Sequence, residues 1–263
     1  MIRLGCCADV PKDKEGERKI KSIIDAGFEY LELGLFPIVL MEDSKRAAAL
    51  DFMKSNPIKS EVMNLFVPTD LKLVGNEADF DTIRRYFEKA FPIAKEFGAE
   101  ILVFGSGNSR TVPQGYSHDM ARSQLFSFLR LANGYGEDFD IEIAIEPLNS
   151  RESNIINSLT EAYWFSKHIN RSKIKLLADF YHMQSDHEPL ETLFKFKGML
   201  AHTHMASKRG RWYPVYQDRW EYETCFDILR EIDYDGRMSI EGFTNDFEND
   251  IVESYRLLDE LRR

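Results

Sequence analysis

The sequence predicts an α/β protein: a single (β/α)8 TIM barrel that spans residues 1–263 as one domain. Short apolar runs alternate with helical segments eight times, with no linker or low-complexity stretch between them. The length of 263 residues also matches the roughly 250 residues that such a barrel needs. Eight alternations favour a closed parallel barrel over an open doubly wound sheet, although the pattern by itself leaves the open sheet as an alternative.

The predicted strands are short runs of apolar residues, several of which end at a charged side chain. The first strand opens the chain, and later strands follow turn signals such as Gly27, Pro57 and Gly98. In chain order the predicted strands cover residues 2–7, 30–33, 60–66, 100–104, 141–145, 173–178, 200–204 and 237–240.

The predicted helices lie between these strands. Ile20, Ile23 and Ile24 share one face of the first helix, and Ser44 is a suitable N-cap for the second. In chain order the predicted helices cover residues 15–26, 44–55, 81–97, 118–135, 158–169, 188–196, 222–232 and 246–262. Each predicted strand is therefore followed by a helix, as a chain of β/α units requires.

The charge balance indicates which partners to expect. The chain has 44 acidic and 34 basic residues, which give a formal net charge of −10. Nucleic acid is therefore not expected as a partner, because binding to phosphates needs a basic surface. No run approaches the ~18 apolar residues of a membrane span. We therefore expect no membrane partner and a cytoplasmic location.

Four of the predicted strands end at residues that can bind metal ions. Glu146, Asp179, His204 and Glu241 follow one another at intervals of 33, 25 and 37 residues, roughly one strand and one helix each. The carboxyl ends of the strands form the active-site face of a parallel barrel. Three carboxylates and an imidazole converging there would hold one divalent ion. The oxygen donors favour Mn²⁺ or Mg²⁺ and tolerate Zn²⁺ or Co²⁺.

Two histidines on the seventh strand face the same way because they are two residues apart. We interpret His204 as the metal ligand because it lies nearer the open end of the barrel. His202 is interpreted as a hydrogen-bonded histidine one layer deeper.

The order and spacing of the polar motifs resemble a known family, although no single motif is diagnostic. The motifs are Glu146-Pro147-Leu148-Asn149 followed by Glu152 and Asn154, Asp179-Phe180-Tyr181-His182, His202-Thr203-His204, and Glu241. Together they resemble the xylose-isomerase-like barrel superfamily. Within it they are similar to the sugar phosphate isomerase/epimerase group, which includes ketose 3-epimerases, hydroxypyruvate isomerase and inosose dehydratase.

The resemblance implies a metal-dependent isomerase or epimerase whose substrate is a small ketose, a related polyol ketone or a sugar phosphate. It assigns one divalent ion, often Mn²⁺, to the four strand-end residues, and it makes Glu146 and Glu241 the acid–base pair as well. One carboxylate would remove the proton beside the carbonyl to leave an enediolate, and the other would return a proton. A lyase or dehydratase of the inosose or dehydroshikimate type begins in the same way and is the alternative.

The resemblance also implies the residues that contact the substrate. Glu152 and His182 match positions that touch the sugar hydroxyls, and Arg211 approximately matches a substrate-binding arginine, with Arg209 as its alternative. Two further residues come from the strand pattern alone. Glu32 and Asn64 end the second and third strands, where each either reaches a sugar hydroxyl or acts as a capping group.

Two other classes are disfavoured. A DNA-repair endonuclease on the same barrel would need a three-zinc site with extra histidines and a basic groove, whereas the chain has six histidines and is acidic. A non-catalytic sugar-binding protein would not need a complete set of metal ligands. The aromatic residues after the seventh strand fit either a pocket wall or a homo-oligomer interface, and the sequence leaves both open: Trp212, Tyr213, Tyr216 and Trp220.

Overall fold

The computed structural model describes residues 1–263 as a closed barrel of eight parallel strands in chain order. The strands are β1 (Arg3–Ala8), β2 (Tyr30–Gly34), β3 (Val62–Asn64), β4 (Ile101–Phe104), β5 (Glu142–Ile145), β6 (Ile174–Asp179), β7 (Leu200–Met205) and β8 (Arg237–Ile240). Strand β8 pairs with β1 and closes the barrel. The predicted (β/α)8 fold is confirmed.

Ten α-helices and two 3₁₀ helices connect the strands. The α-helices are α1 (Lys14–Ala26), α2 (Leu35–Val39), α3 (Asp43–Lys54), α4 (Phe80–Phe97), α5 (Gly107–Arg110), α6 (His118–Phe139), α7 (Leu159–Ile169), α8 (Phe180–Ser185), α9 (Arg219–Glu231) and α10 (Phe247–Leu261). The 3₁₀ helices cover Leu190–Phe196 and Tyr216–Asp218. None of the helices is both long enough and apolar enough to span a membrane.

The structure corrects several predicted boundaries. Strand β3 stops at Asn64 and not at residue 66, because Leu65 adopts a left-handed backbone with φ of 48°. The helix predicted over 188–196 is a 3₁₀ helix. The short helices α2 and α8 follow β2 and β6 directly, and α5 begins two residues after β4; none of the three was predicted. They are too short to produce a helical pattern of apolar residues.

Two layers of side chains pack the barrel. The outer layer lies between strands and helices, where Phe66 stacks on Phe87 with ring centroids 5.2 Å apart. A separate cluster of six buried side chains comes from β2 to β6: Tyr30, Val62, Ile101, Val103, Ala144 and Leu177. The Tyr30 ring lies edge-on to the ring of His202, with centroids 6.3 Å apart. This cluster therefore lies next to the polar residues described below.

Candidate active site

Strand register brings the four predicted ligands to one end of the barrel. Asp179 is the last residue of β6 and pairs with His204 of β7. Glu146 and Glu241 each follow the last residue of a strand, β5 and β8. The backbone N–H of Glu241 donates to the carbonyl of Met205 at 3.1 Å, which extends the barrel hydrogen bonding to this residue.

The four side chains meet around one nitrogen of His204. Nδ1 of His204 lies 3.1 Å from Oε1 of Glu146, 3.0 Å from Oε2 of Glu241 and 3.7 Å from Oδ2 of Asp179. One donor atom from each of the four residues falls within 4.8 Å of all the others. The structure thus brings together the complete set of residues predicted from the strand ends.

Burial and the neighbouring charges shift the pKa of each residue in this ring. Burial raises the pKa of Glu146. Burial would also raise the pKa of Asp179 and Glu241, but nearby positive groups outweigh it and both pKa values are lowered. For Asp179 these groups are His182, His204 and Arg211, and for Glu241 they are His204 and Arg211. Burial opposes the charged form of His204, yet the surrounding carboxylates, Glu32 first, raise its pKa well above the ordinary value.

This donor set suits a divalent cation. Four carboxylates lie next to the ring nitrogens of His204: those of Glu32, Glu146, Asp179 and Glu241. Arg211 and His204 supply at most two positive charges to balance them. Buried negative charge without a compensating charge is costly. Carboxylate oxygens and an imidazole nitrogen are ligands that Mn²⁺, Mg²⁺ and Zn²⁺ accept. The residues present therefore fit a bound divalent ion.

Glu32 lies beneath this ring and does not face the cavity. Its side chain is fully buried, and its carboxylate accepts hydrogen bonds from Nε2 of His202 at 2.8 Å and from Nε2 of His204 at 2.9 Å. Burial by itself would raise the pKa of Glu32, but His204 and His202 outweigh it and the pKa is lowered. Both carboxylate oxygens are thus occupied by histidines, and no oxygen is directed at a substrate hydroxyl.

His202 is a buried histidine one layer below His204. Its Nε2 also lies 3.2 Å from Oγ of Ser239, whose hydroxyl is 3.0 Å from the hydroxyl of Tyr30. The pKa of His202 is lowered by burial, although Glu32 opposes the shift. A chain of buried polar groups thus connects the candidate metal ligand to the barrel interior.

The two arginines of the β7 loop have different surroundings. The guanidinium of Arg211 donates to Asp179 at 3.3 Å and to Glu241, and it stacks over the ring of Tyr181 at 5.1 Å. Burial opposes the charge of Arg211, but Glu241 and Asp179 raise its pKa. Arg209 is exposed in the same loop. Of the two alternatives, the structure directs Arg211 into the site.

The remaining predicted contacts surround a cavity of about 210 Å³. Asn64 donates to Oε1 of Glu241 at 3.4 Å, and Glu152 accepts from Asn149 at 2.8 Å. His182 is buried, its Nδ1 lies 2.8 Å from Nδ2 of Asn149, and its Nε2 has no hydrogen-bond partner. The residues that line the cavity include Asn64, Glu146, Glu152, His182, Arg211 and Glu241.

Three residues support the site without having been predicted. Asn149 connects Glu152 to His182, as described above. The guanidinium of Arg110 is fully buried and donates to the backbone carbonyls of Phe104 at 3.0 Å and of Glu146 at 2.9 Å. Burial lowers the pKa of Arg110 to about 10. Gly105 lies so close to Glu146 that a Cβ there would overlap Oε2 of the carboxylate.

The other histidines and the aromatic residues after β7 lie outside the ligand ring. The remaining histidines, His118, His168 and His187, are exposed and belong to no cluster of metal-binding side chains. Of the aromatic residues after β7, Tyr213 is buried, and the exposed ones are Trp212, Tyr216 and Trp220.

Comparison with known proteins identifies the family and its named members. The family model described as xylose isomerase-like TIM barrel matches residues 20–261. D-psicose 3-epimerase of Agrobacterium fabrum is 23% identical over 233 residues, which cover 85% of this chain and 78% of that protein. The 3-dehydro-D-guloside 4-epimerase of Escherichia coli is 26% identical over 127 residues, about half (48%) of each chain.

A solved structure agrees with the fold. D-allulose 3-epimerase from Methylomonas sp., crystallised with D-allulose, superposes with a TM-score of 0.83 at 18% identity, and the match covers 98% of this chain and 96% of that one. The named relatives are epimerases, which are enzymes of the isomerase class. Because the family model matches nearly the whole chain, the protein belongs to the xylose isomerase-like TIM barrel family.

Proposed function

We propose that this protein is a divalent-metal-dependent epimerase or isomerase that acts on a keto sugar by removing a proton next to the carbonyl. The observation that carries the proposal is the position of Glu146 and Glu241, which approach Nδ1 of His204 from strands β5 and β8 at 3.1 and 3.0 Å. Two carboxylates at one centre can remove a proton and return one. The epimerase relatives support the same reaction class.

The ion would be held by the four strand-end residues: Glu146, Asp179, His204 and Glu241. Three of the four supply oxygen, which favours Mn²⁺, with Mg²⁺, Co²⁺ or Zn²⁺ as alternatives. When bound, the ion would polarise the substrate carbonyl and make the neighbouring C–H more acidic.

The side chains of the protein would handle the proton and the hydroxyl groups. The hydrogen bonds of Glu146 use Oε1 and leave Oε2 available to accept a proton from the substrate carbon. Glu241 would act from the other side, with its carboxylate oriented by Asn64 and Arg211. The unpartnered Nε2 of His182 and the half-exposed carboxylate of Glu152 would bind substrate hydroxyls.

The alternative functions have less support. A dehydratase or lyase would share the first proton removal, but the two relatives named above are epimerases. A three-zinc nuclease would need additional histidine ligands, whereas three of the six histidines are exposed outside the site. The single-domain organisation of residues 1–263, the cytoplasmic location and a homo-oligomer remain predictions.

Incubating the metal-loaded protein in D₂O with a panel of free ketoses, keto-glycosides, inososes and hydroxypyruvate tests the proposal. We expect deuterium to enter one carbon beside the carbonyl, with an epimer or isomer as product. Glu146→Gln and Glu241→Gln should each lower kcat by about 100-fold or more, the scale of a lost general acid or base. Wild-type exchange in both variants, each with metal bound, would contradict the proposal.

A further inference from the structure

A second cavity opens beside the cavity of the ligand ring. It lies between the loop after β1, the start of α1 and the loop after β8, and its volume is about 670 Å³. Asn64 and Leu65 line both cavities. The two cavities therefore adjoin at these residues, and we name the larger one the β1–β8 cleft.

The size of the β1–β8 cleft exceeds what the reacting part of a substrate needs. Small-molecule sites typically have volumes of about 300–1,000 Å³. The cavity at the ligand ring, at about 210 Å³, is smaller than this range, whereas the cleft at about 670 Å³ lies within it. Together they have room for a molecule that carries a substantial group beyond its keto sugar ring.

The charges at the outer end of the cleft favour a neutral group. Lys12 and Lys19 line it, and so do Asp9 and Asp13, while the carboxylate of Glu15 in the same lining pairs with Arg18 at 2.8 Å. This surface has no excess of positive charge for a phosphate or carboxylate to pair with. It does offer both donors and acceptors, which suits hydroxyl groups.

The wall of the cleft also presents exposed apolar surface. Phe243, two residues after Glu241, is 61% exposed, and Leu65 at the junction of the two cavities is 49% exposed. The backbone N–H of Phe243 donates to the carbonyl of Arg211 at 2.7 Å, and its carbonyl accepts from the N–H of Tyr213 at 2.8 Å, so the backbone of this residue is held at the cleft wall. Exposed apolar side chains at the edge of a cleft often mark a ligand-binding surface.

We infer that the β1–β8 cleft binds the second ring of a keto-glycoside substrate, with Phe243 against the ring face and the charged residues near its hydroxyls. A sugar ring has C–H groups on its faces and hydroxyls around its edge, which matches one apolar wall and a polar rim. The inference rests on the proposed function, and it makes a keto-glycoside a better substrate than a free ketose or the same keto sugar with a small aglycone.

The test compares two substrates that share the reacting ring. One is a disaccharide with a ketone on its non-reducing ring, and the other is the methyl glycoside of the same keto sugar; a free ketohexose is included as a third. The kcat/KM for deuterium entry from D₂O is measured for wild type, Phe243→Ala and Phe243→Tyr. Trp220→Ala, which removes an exposed aromatic side chain outside the cleft, is the matched control.

We expect wild type to prefer the disaccharide over the methyl glycoside by about 10-fold or more, the scale of one apolar contact in a pocket. Phe243→Ala should remove most of this preference, whereas Phe243→Tyr and Trp220→Ala should retain it. Equal kcat/KM for the two glycosides in wild type, or a preference that survives in Phe243→Ala, would overturn the inference. Exchange with the free ketohexose alone would overturn the inference and leave the proposed function intact, whereas no exchange with any keto sugar would overturn both.

Discussion

Replacing Glu32 should weaken metal binding even though its carboxylate does not reach the cavity. In the structure its two oxygens accept from Nε2 of both His202 and His204, at 2.8 and 2.9 Å. The bond to Nε2 of His204 leaves Nδ1 of that ring to face the three ligand carboxylates. Outer partners of this kind fix the tautomer of a metal-binding histidine and increase its basicity.

Two substitutions separate the charge of Glu32 from its hydrogen bonds. Glu32→Gln keeps the size of the side chain and one acceptor, but it removes the negative charge and turns one oxygen into a donor. We expect the Kd for Mn²⁺ to rise about 10- to 100-fold, the usual effect of losing an outer partner of a histidine ligand. This corresponds to about 1.4–2.8 kcal/mol.

Glu32→Leu leaves Nε2 of His204 without its partner, whereas Nε2 of His202 keeps the hydroxyl of Ser239 at 3.2 Å. An unsatisfied buried donor costs about 1–3 kcal/mol, so this variant should lose folding free energy of that order as well as metal affinity. The assay is competition with a chelator at fixed pH, together with thermal unfolding of the metal-free protein.

The matched control is a buried glutamate at the opposite end of the barrel. Glu61 accepts from Arg3 at 2.6 Å and from Arg237 at 2.8 Å, far from the ligand ring. Glu61→Gln should lower the unfolding temperature and leave the Kd for Mn²⁺ unchanged. The reasoning is refuted if Glu32→Gln binds Mn²⁺ as tightly as wild type, or if Glu61→Gln weakens binding equally.

Three further predictions concern Gly105, the two arginines of the β7 loop and the pH dependence of stability. Gly105→Ala should displace the carboxylate of Glu146 and lower kcat at least 10-fold. The control is Gly134→Ala, whose Cβ would meet nothing within 4 Å; it should stabilise α6 by up to about 1 kcal/mol and keep activity. Equal activities of the two variants would contradict this. Arg211→Gln should lower kcat/KM about 10- to 100-fold, the scale of a charged hydrogen bond. Arg211→Gln should not weaken Mn²⁺ binding, because the guanidinium competes with the ion for Asp179 and Glu241. Arg209→Gln should change neither kcat/KM nor Mn²⁺ binding. Similar losses of kcat/KM in both variants would refute the assignment of Arg211 to the site. Burial opposes the ionised form of Glu61, but Arg3 and Arg237 outweigh it and lower its pKa. The ionised carboxylate of Glu61 therefore contributes its full stabilisation above its pKa in the unfolded state, near ~4.3. This contribution is lost as pH falls through the lower pKa of the folded state. Between pH 6 and pH 3 the unfolding temperature should thus fall more steeply for wild type than for Glu61→Gln. Parallel curves of unfolding temperature against pH would argue against this.

Much of the fold and the ligand set could be predicted because both depend on local patterns. A short apolar run that stops at a charged residue indicates a buried strand and its active-site end, whatever its neighbours in space. Glu146, Asp179 and Glu241 are recognised in this way, and His204 as the outer of two histidines on β7. The structure brings one ligand atom from each of the four within 4.8 Å of the others. Their convergence then follows from barrel closure, since the carboxyl ends of parallel strands share one face.

The position of Glu32 could not be read locally because its contacts cross the barrel. Strand β2 pairs with β1 and β3, so the contacts with His202 and His204 of β7 depend on the closed shape and on side chains filling the interior. The sequence pattern indicates a polar residue at a strand end, and it suggests either a substrate contact or a capping group. The structure shows instead a carboxylate buried beneath the ligand ring.

The choice between Arg209 and Arg211 depended on loop geometry in the same way. Gly210 and Arg211 both have positive φ, 75° and 58°, and this turn directs Arg211 inward while Arg209 stays exposed. Such a conformation is common for glycine and uncommon for arginine. Spacing along the chain therefore could not decide between two arginines two residues apart.

The most direct test of the account is an anomalous diffraction map of crystals grown with Mn²⁺. We predict a single Mn²⁺ peak bound by Glu146, Asp179, Glu241 and Nδ1 of His204, with metal–ligand distances of about 2.0–2.3 Å. A second group of potential ligands, formed by Cys7, Glu32 and His204, shares the same histidine. A peak at that group, or no peak within the ring of the four strand-end residues, would contradict the account.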